Sequence, residues 1–535
     1  MLFYLILLFV GAILYLYVEI TKKYGTFKAI GVPEYNPKFP LGSPNHWKLA
    51  TGITEIYKRL NFINSVDEVY DAFPNEKLVA HFQGGSPQLV VRDMELAKLV
   101  LIKDFDHFVD RRGLELTEET EAQKAMGLML TMLKGDQWKA IRNTLSPVFT
   151  SGKLKGMTPI INKLGQDLVK HLEPLARSGE EFEAKQSMVN FTTDVIAECG
   201  FGINAQAMLN PDSVFKQNVM KLSGGPKGSI MGMIRFVMIL FLNPLARMLK
   251  IKIMNEESLN YFIKVIRQTM ATRKESKTRR NDLIDLILDA LKDDSQDPKP
   301  VEDAQFEKDA QIEVNTPFQS IPEEELELYI VSNAFILFFA GLETSSTIMA
   351  VCSVFLATHP DVQERLHLEI QDAIDDHGSQ DLPYERIHSL PYLDMVVNET
   401  LRHFPLAIME RQCVKDYKFP GYDFVVPAGM LVQVPSPAIM KDAKYFPDPL
   451  RFNPENFNEE NKAKRSPYAF LAFGQGPRNC IGMRFALLQV KIAIIRLLAN
   501  YEILRSPKTN DQFRPSPKSP SGQPINGTFI RIAKR

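Results

Sequence analysis

The stretch Phe473-Gly474-Gln475-Gly476-Pro477-Arg478-Asn479-Cys480-Ile481-Gly482 is the most informative pattern in the sequence. A single cysteine ends a glycine-containing loop, and an apolar run with helical periodicity, Met483 to Leu498, follows directly. A thiol at a helix N-terminus lies where the macrodipole favours a thiolate, and the nearby Arg478 adds positive charge. The glycines let backbone N–H groups turn towards the sulfur, as around metal-bound thiolates, and Phe473 can cover its apolar side. A buried structural cysteine before a helix is the competing interpretation.

Composition sets the limits of the interpretation. The chain has 535 residues, enough for one very large catalytic domain or several small ones, and 45% of them are hydrophobic. The formal net charge of -1 gives no global indication of nucleic-acid binding. The cysteines show no paired spacing, which argues against a disulfide framework and a zinc cluster, so the bulk of the chain is expected to be reduced and cytosolic. The cysteines are Cys199, Cys352, Cys413 and Cys480.

The start of the chain is apolar. Leu2 to Val18 forms an unbroken apolar run of about 17 residues, at the short end of what spans a bilayer, and lysines follow it. We expect residues 1–20 to be an uncleaved transmembrane signal anchor, residues 21–47 a proline-rich tether and residues 48–535 the catalytic domain on the cytosolic side. A cleaved signal peptide is the alternative. The expected orientation predicts no glycan on any of the three sequons, which begin at Asn190, Asn398 and Asn526.

The longest predicted helix, Glu323 to Thr358, is apolar nearly all round, so it should run through the core. Midway it carries Ala340-Gly341-Leu342-Glu343-Thr344-Ser345. The small Ala340 and Gly341 leave room beside a flat cofactor. Thr344 can hydrogen-bond to a carbonyl one turn earlier, or to something bound in a local groove. The competing interpretation is a helix crossing in which the glycine allows close packing.

Two other pairs of residues at helical spacing could belong to a functional site, but each pair alone is weak evidence for one. Trp138 and Arg142, at i and i+4, lie on one helix face, where an indole N–H and a guanidinium can clasp a carboxylate. Glu399 and Arg402, at i and i+3, can form an ion pair. Most Trp/Arg pairs at this spacing are a packed ring beside a surface charge, and most Glu/Arg pairs are exposed ion pairs that contribute little to stability.

Taken together and in chain order, the four motifs resemble the cytochrome P-450 superfamily. The stretch from Ser146 to Leu154 also matches the clan that contains the vertebrate 3A subfamily and invertebrate detoxification enzymes. Residues 473–482 fill every specified position of that family's haem-ligand pattern, Phe-x-x-Gly-x-Arg-x-Cys-x-Gly, and residues 340–345 are similar to its oxygen-activation motif. The resemblance implies a mainly α fold with a smaller β region. Haem would lie between the long central helix and the cysteine loop, residues 473–482.

The resemblance also implies residue roles. Cys480 would be the axial thiolate ligand of the iron, and Thr344 and Glu343 would be catalytic residues that deliver protons to bound dioxygen. Glu399 and Arg402 would brace the cysteine loop, although Asn456 stands where the family usually has a third partner, an arginine. The implied haem-contacting residues are Arg111, Trp138, Arg142, Ala340, Gly341, Arg411, Phe473 and Arg478. The expected substrate-pocket residues, each with core packing as the alternative, are Phe335, Ile336, Phe339, Ala340, Leu406 and Ile408.

The function implied by the resemblance is a haem-thiolate monooxygenase. It would use haem b and O2 to insert one oxygen atom into lipophilic substrates such as xenobiotics, steroids or fatty acids, because a thiolate on haem iron favours O–O cleavage. Electrons would come from NADPH through cytochrome P-450 reductase, with cytochrome b5 as an optional donor, at the endoplasmic reticulum membrane. The alternatives are a haem-thiolate isomerase or dehydratase that needs no reductase, and a non-catalytic haem-binding membrane protein.

The expected β structure is limited. Leu78 to Phe82 and Gln88 to Val91 flank two glycines, which predicts a hairpin, and Val425 to Val434 and Phe529 to Ile532 are predicted strands. The apolar stretch 228–249 is either core or a loop that dips into the bilayer, because periodicity does not separate the two.

Overall fold

Helices account for most of the chain. The structure is a computed structural model, and it describes residues 2–39, 42–43, 62–113, 119–223, 238, 243–252, 254–276, 279–280, 282–290, 309, 323–406, 408–513, 524 and 526–535. The fold is mainly α with a smaller β region, as predicted. In chain order the α-helices are α1 Leu2–Thr21, α2 Thr26–Ala29, α3 Phe62–Ala72, α4 Met94–Lys98, α5 Glu121–Gly127, α6 Gly135–Leu145, α7 Ser151–Ser178, α8 Ala184–Ile196, α9 Val214–Ser223, α10 Asn243–Met248, α11 Glu256–Ser276, α12 Leu283–Ala290, α13 Glu323–Thr358, α14 Pro360–His377, α15 Tyr384–His388, α16 Pro391–His403, α17 Ser436–Ile439, α18 Glu459–Lys464 and α19 Met483–Asn500.

Short helical turns of other types join several of these elements. The π-helical turns are Leu99–Lys103 and Ala197–Phe201, and the 3-10 turns are Phe105–His107, Ser146–Phe149, Pro454–Phe457 and Pro467–Ala469.

Helix α13 is the axis of the core. It has the bounds that the sequence predicts, and it packs most extensively against α8 and also against α19, α11 and α16. Residues Glu325–Thr358 are long and apolar enough to cross a membrane, yet 67% of the most apolar window is buried inside the protein. This burial identifies α13 as a core helix, because a helix that is apolar all round needs packing partners on every side.

Two small sheets flank the helices. Strands β1 Leu78–Gln83 and β2 Ser86–Val91 form the predicted antiparallel hairpin. Strand β2 pairs in parallel with β5 Leu431–Val434, and β5 pairs antiparallel with β4 Met409–Gln412, so the order is β1-β2-β5-β4. The second sheet is antiparallel, with the order β3-β7-β6, and consists of β3 Phe182–Glu183, β6 Tyr501–Arg505 and β7 Phe529–Lys534.

Two sequence predictions need qualification. The predicted strand Val425 to Val434 is shorter than expected, because a turn interrupts it: Met430 N donates to Pro427 O at 3.1 Å, and Gly429 has a φ of 92°. The prediction for 228–249 falls largely outside the described residues, which include only residue 238 and residues 243–249 of that range.

Candidate active site

The cysteine loop is held by its own backbone. Cys480 N donates to Phe473 O at 2.8 Å, and Asn479 N donates to Gly476 O at 3.0 Å. Gly476 has a φ of 71°, and a Cβ at this position would lie 1.8 Å from the carbonyl oxygen of Leu101. No other residue type fits there, because the left-handed backbone and the close neighbour both exclude a side chain. The loop therefore delivers Cys480 to the start of α19 in a fixed orientation.

The Cys480 side chain is exposed, although protein surrounds it on all sides, so the exposed surface is internal. Burial raises the pKa of its thiol, while a hydrogen bond from the Gly482 backbone and the charges of Arg142 and Arg111 oppose that rise. Arg478 does not act on the sulfur as we expected from its position in sequence. Instead its guanidinium donates to Val109 O at 2.7 Å and to Leu133 O at 2.9 Å. In the protein alone, burial therefore outweighs the electrostatic stabilisation of the thiolate.

Helix α6 presents Trp138 and Arg142 to the same loop. Trp138 is buried, and the Arg478 guanidinium lies over the Trp138 indole, 4.0 Å from the ring centre. Arg142 donates from Nη1 to Asn479 O at 2.9 Å and from Nη2 to Asn479 Oδ1. The i, i+4 spacing thus brings both side chains onto the residues that precede Cys480.

Four buried or half-buried arginines gather beside the loop: Arg111, Arg142, Arg411 and Arg478. Arg411 Nε and Nη2 and Arg478 Nη1 are buried and have no hydrogen-bond partner among the described residues. Burial, then Arg111 and Arg478, lower the pKa of Arg411 well below its usual range. Burial also lowers the pKa of Arg142 to about 10 and that of Arg478 to about 9.

Such a concentration of desolvated cations is costly unless anions balance it. The unpartnered N–H groups suit two carboxylates, because guanidinium groups bind carboxylates in bidentate geometry. These donors, together with the internal thiol, fit a haem: the arginines would hold its two carboxylates and Cys480 would supply the thiolate.

On the central helix, one stripe of side chains is less buried than the rest. Ala340 is exposed, and Ile336, Phe339 and Thr344 are half-buried, whereas the neighbouring turns are buried. Gly341 packs towards α8 instead: a Cβ there would lie 3.1 Å from Ile196 Cδ1. The small side chain at 340 therefore leaves room beside the stripe, while the glycine at 341 allows close helix packing.

The expected pocket residues divide into two groups. Ile336, Phe339, Ala340 and Leu406 are exposed or half-buried. Phe335 is fully buried against Phe262 and Phe338, which favours the core-packing alternative for this residue.

Residues at the start of strand β4 also lie on two different faces. Ile408 packs against a separate cluster that includes Val66 and Val90. Met409 points the other way, since a Cβ on Gly474 would lie 3.0 Å from its sulfur. The sequence reasoning missed Met409, which the alternation of a strand would have placed on the same face as Arg411.

Thr344 and Glu343 occupy different faces of α13. Thr344 Oγ1 donates to Ala340 O at 2.7 Å, the backward hydrogen bond expected from the sequence. Glu343 is buried and pairs with Lys185 of α8, its Oε2 lying 3.0 Å from Nζ. Lys185 Nζ also donates to Ser346 Oγ and Thr347 Oγ1, each at 2.7 Å. Sequence reasoning missed Lys185, because a lysine at the start of a predicted helix is normally exposed.

Glu399 and Arg402 are both fully buried and form a bidentate pair at 2.7 and 2.8 Å. Asn456 Nδ2 donates to Glu399 Oε1 at 3.1 Å, so an amide does stand in the third position. Burial raises the pKa of Glu399, but hydrogen bonds from Arg402 and His403 outweigh it and the net pKa is lowered. Arg465, which the sequence reasoning missed, donates to Asn456 O at 3.0 Å.

A mainly helical fold that places a cysteine at an internal surface, beside arginines suited to two carboxylates, defines a haem-thiolate protein. Comparison with known proteins agrees. The family model for cytochrome P450 matches residues 41–528. Cytochrome P450 9e2 of Blattella germanica is 34% identical over 85% of this chain and 85% of its own length. Cytochrome P450 3A2 of Rattus norvegicus is 34% identical, covering 90% of this chain and 87% of its own. Probable cytochrome P450 6a13 of Drosophila melanogaster is 32% identical over 95% of this chain and 94% of its own.

The chain therefore belongs to the cytochrome P450 family. It is a monooxygenase, an oxidoreductase that uses haem b with a cysteine thiolate ligand, O2 and electrons from NADPH supplied through a reductase.

Proposed function

We propose that Cys480 is the haem ligand of a membrane-anchored monooxygenase that inserts one oxygen atom into lipophilic substrates, with xenobiotics as the main class. All four cysteines of the chain are described, and Cys480 alone is exposed, at an internal surface between Arg111 and Arg142. The other three are buried, and burial raises the pKa of all four thiols, but of the four only Cys480 has arginine charges, those of Arg142 and Arg111, that act against the rise. This contrast is the observation that carries the proposal.

The surrounding residues take the following roles. Arg111, Arg142, Arg411 and Arg478, with Trp138 stacked on Arg478, hold the haem carboxylates. The small Ala340 lets α13 lie close to the ring, Gly341 lets α13 pack closely on α8, and Phe473 covers the sulfur side. When bound, the haem supplies the chemistry of oxygen activation.

The chain's own residues supply orientation and protons. Thr344 donates its hydroxyl hydrogen to the Ala340 carbonyl, and rotation of the hydroxyl would turn the same hydrogen towards oxygen bound at the haem. Once its carboxylate has left Lys185 and taken up a proton from water, Glu343 would return a proton to Thr344. Ile336, Phe339 and Leu406 form an apolar wall, which favours lipophilic substrates and excludes water.

The test of the ligand is the carbon monoxide difference spectrum of the reduced protein. Wild type should show the red-shifted Soret band of a thiolate-ligated haem, and Cys480→His should move it to the position typical of histidine ligation. Cys413→Ser, which changes a buried thiol that contacts Lys415 O, is the matched control and should leave the band unchanged. An unchanged spectrum in Cys480→His would contradict the assignment.

The reaction class is tested separately. NADPH with cytochrome P-450 reductase should support product formation from a panel of lipophilic compounds, and cytochrome b5 should at most stimulate it. Turnover of hydroperoxides alone, without NADPH, would instead indicate an isomerase or dehydratase. Haem binding without product from any compound in the panel would indicate a non-catalytic protein.

We also propose that α1 anchors the enzyme in the endoplasmic reticulum membrane with the catalytic domain in the cytosol. A 20-residue helix is about 30 Å long, which matches the hydrocarbon core. Most of its described apolar side chains are exposed, Phe3, Tyr4 and Leu8 each by two thirds or more. Tyr24 Oη then donates to Gly84 O at 3.0 Å, so the chain reaches the β1–β2 hairpin soon after the helix.

The fold sharpens the glycosylation test of this orientation. Asn190 is buried and Asn398 half-buried, both within helices, whereas Asn526 is exposed. Only a glycan at Asn526 therefore reports on topology. We expect none in cells that glycosylate a luminal control protein, and an endoglycosidase-sensitive mass shift that disappears in Asn526→Gln would place the domain in the lumen.

A further inference from the structure

Two neighbouring arginines, Arg111 and Arg112, point in opposite directions. Arg111 Nη2 donates to Arg478 O at 3.1 Å, on the side of the cysteine loop. Arg112 donates to both carboxylate oxygens of Glu410, from Nε at 3.2 Å and from Nη2 at 2.9 Å. This alternation is that of extended backbone, in which successive side chains lie on opposite faces.

Strand β4 alternates in the same way and lies alongside. Asp110 and Gln412 form an antiparallel bridge in which Gln412 N donates to Asp110 O at 2.7 Å. Counting from that bridge places residue 111 opposite Arg411 and residue 112 opposite Glu410. On the face towards the cysteine loop the two backbones therefore carry the like-charge pair Arg111 and Arg411. On the opposite face they carry the ion pair Arg112 and Glu410.

The like-charge pair pushes the two backbones apart. Like charges directly opposite each other on paired strands are destabilising, and the cost rises when the groups are buried, as Arg411 is. The Arg112–Glu410 pair attracts across the same two backbones. Its side chains are only 20% and 16% exposed, and its geometry is bidentate, so solvent screens it far less than a surface pair.

The ion pair is anchored in the sheet. Glu410 Oε2 accepts from Gln433 Nε2 of β5 at 2.9 Å, and Gln433 Oε1 lies 2.9 Å from His81 Nε2 of β1. Arg112 Nη1 donates to Gln83 Oε1, also of β1, at 2.6 Å. The pair is thus fixed to two further strands, and segment 110–112 with it.

We propose that the Arg112–Glu410 pair is a clamp that keeps Arg111 and Arg411 side by side, so that both bind the haem carboxylates. The inference rests on the proposed function, since the carboxylates belong to the haem. Arg112 and Glu410 are positioning residues that act through their neighbours. Breaking the clamp should let segment 110–112 move away from β4, so that haem is held less tightly while Cys480 is untouched.

The test uses the haem-loaded enzyme and needs no turnover. Glu410→Gln should speed haem transfer to excess apomyoglobin about 10-fold, the usual scale for losing a partner that orients a ligand. The resonance Raman bands of propionate bending should shift as well. Arg112→Lys, which keeps the charge but donates as a point cation, should give a smaller change of the same sign and is the milder variant if Glu410→Gln folds poorly.

The charge-reversed double variant Arg112→Glu with Glu410→Arg should restore slow transfer, because the Gln83 and Gln433 amides can rotate to present the opposite group. Arg365→Gln breaks an exposed ion pair with Glu455 and should leave both readouts at wild-type values. Wild-type transfer rate and propionate bands in Glu410→Gln would overturn the clamp. So would a lower unfolding temperature with unshifted bands, since that is a purely structural effect. A wild type that binds haem but oxidises nothing would contradict the proposed function and leave these results standing.

Discussion

The two buried glutamates of the site are held in different ways. Glu399 accepts two hydrogen bonds from Arg402, one from the backbone of Asn453 and one from Asn456, and His403 Nε2 lies 3.3 Å from its Oε1. Glu343 pairs with Lys185, whose ammonium also donates to other oxygens of α13. A carboxylate whose oxygens accept from several donors is part of the fold, whereas one that shares its cation with other acceptors can change partners. The difference separates a bracing role from a role in proton delivery.

Replacing Glu399 by Gln should have the largest effect. Arg402, Asn453 and Asn456 all donate hydrogens to the carboxylate, so the new NH2 group would face donors. Arg402 would also lose its buried counter-charge. We expect a loss of about 3–5 kcal/mol in the free energy of unfolding, which is the usual cost of breaking a buried pair. The measurement is urea unfolding of the haem-loaded protein, followed by the Soret band.

The matched control is Glu455→Gln. Its ion pair with Arg365 is exposed, so the expected change is under about 1 kcal/mol. Equal losses in the two variants would remove the distinction between a bracing carboxylate and a surface one.

Replacing Lys185 by Met should rank second. It leaves Glu343 buried without its cation, and the carboxyl escapes part of the penalty by taking up a proton. We expect a stability loss of about 2–4 kcal/mol, most of it regained in Lys185→Met with Glu343→Gln, because that double variant buries no charge. Thermal and urea unfolding of both variants check this. A double variant no more stable than the single one would show that the lysine acts through Ser346 and Thr347 rather than through the carboxylate.

Replacing Thr344 by Ala should affect turnover rather than stability. It removes the hydroxyl that bonds Ala340 O but leaves the Lys185–Glu343 pair in place. Losing one hydrogen bond of about 1.4 kcal/mol in the reacting complex lowers product formed per NADPH by about 10-fold. Reduced dioxygen should appear as peroxide while haem stays bound. Unchanged product yield would remove Thr344 from the proposed proton path.

Residues with strict backbone or packing demands could be predicted from the sequence. The cysteine loop, the full length of α13 and the β1–β2 hairpin follow from local patterns, since glycines at turns and helical or strand periodicity act over a few residues. Partners that meet only through the tertiary fold could not be predicted. Lys185 donates to Ser346, 161 positions away in sequence, and Arg465 lies close enough to Glu399 for the carboxylate to raise its pKa.

Replacing Arg465 should have the smallest effect on stability. It also tests directly what balances the charge of Glu399. Its guanidinium lies 4.2 Å from the ring centre of Phe446 and 5.0 Å from that of Phe457. Glu399 raises the pKa of Arg465, although burial lowers it to about 10, so the residue remains a cation. It therefore supplies positive charge near the glutamate whose third partner is Asn456.

Replacing Arg465 by Leu should cost about 1–2 kcal/mol of unfolding free energy, from one hydrogen bond and the stacking on Phe446. Adding Asn456→Arg to that variant should recover part of the loss, because the new cation meets Glu399 directly. In the wild-type background the same Asn456→Arg change should be neutral or destabilising, since a further cation would be buried beside Arg402 and Arg465. Thermal unfolding of the three variants measures both effects. Stabilisation by Asn456→Arg in both backgrounds would mean that Arg465 supplies none of the charge that balances Glu399.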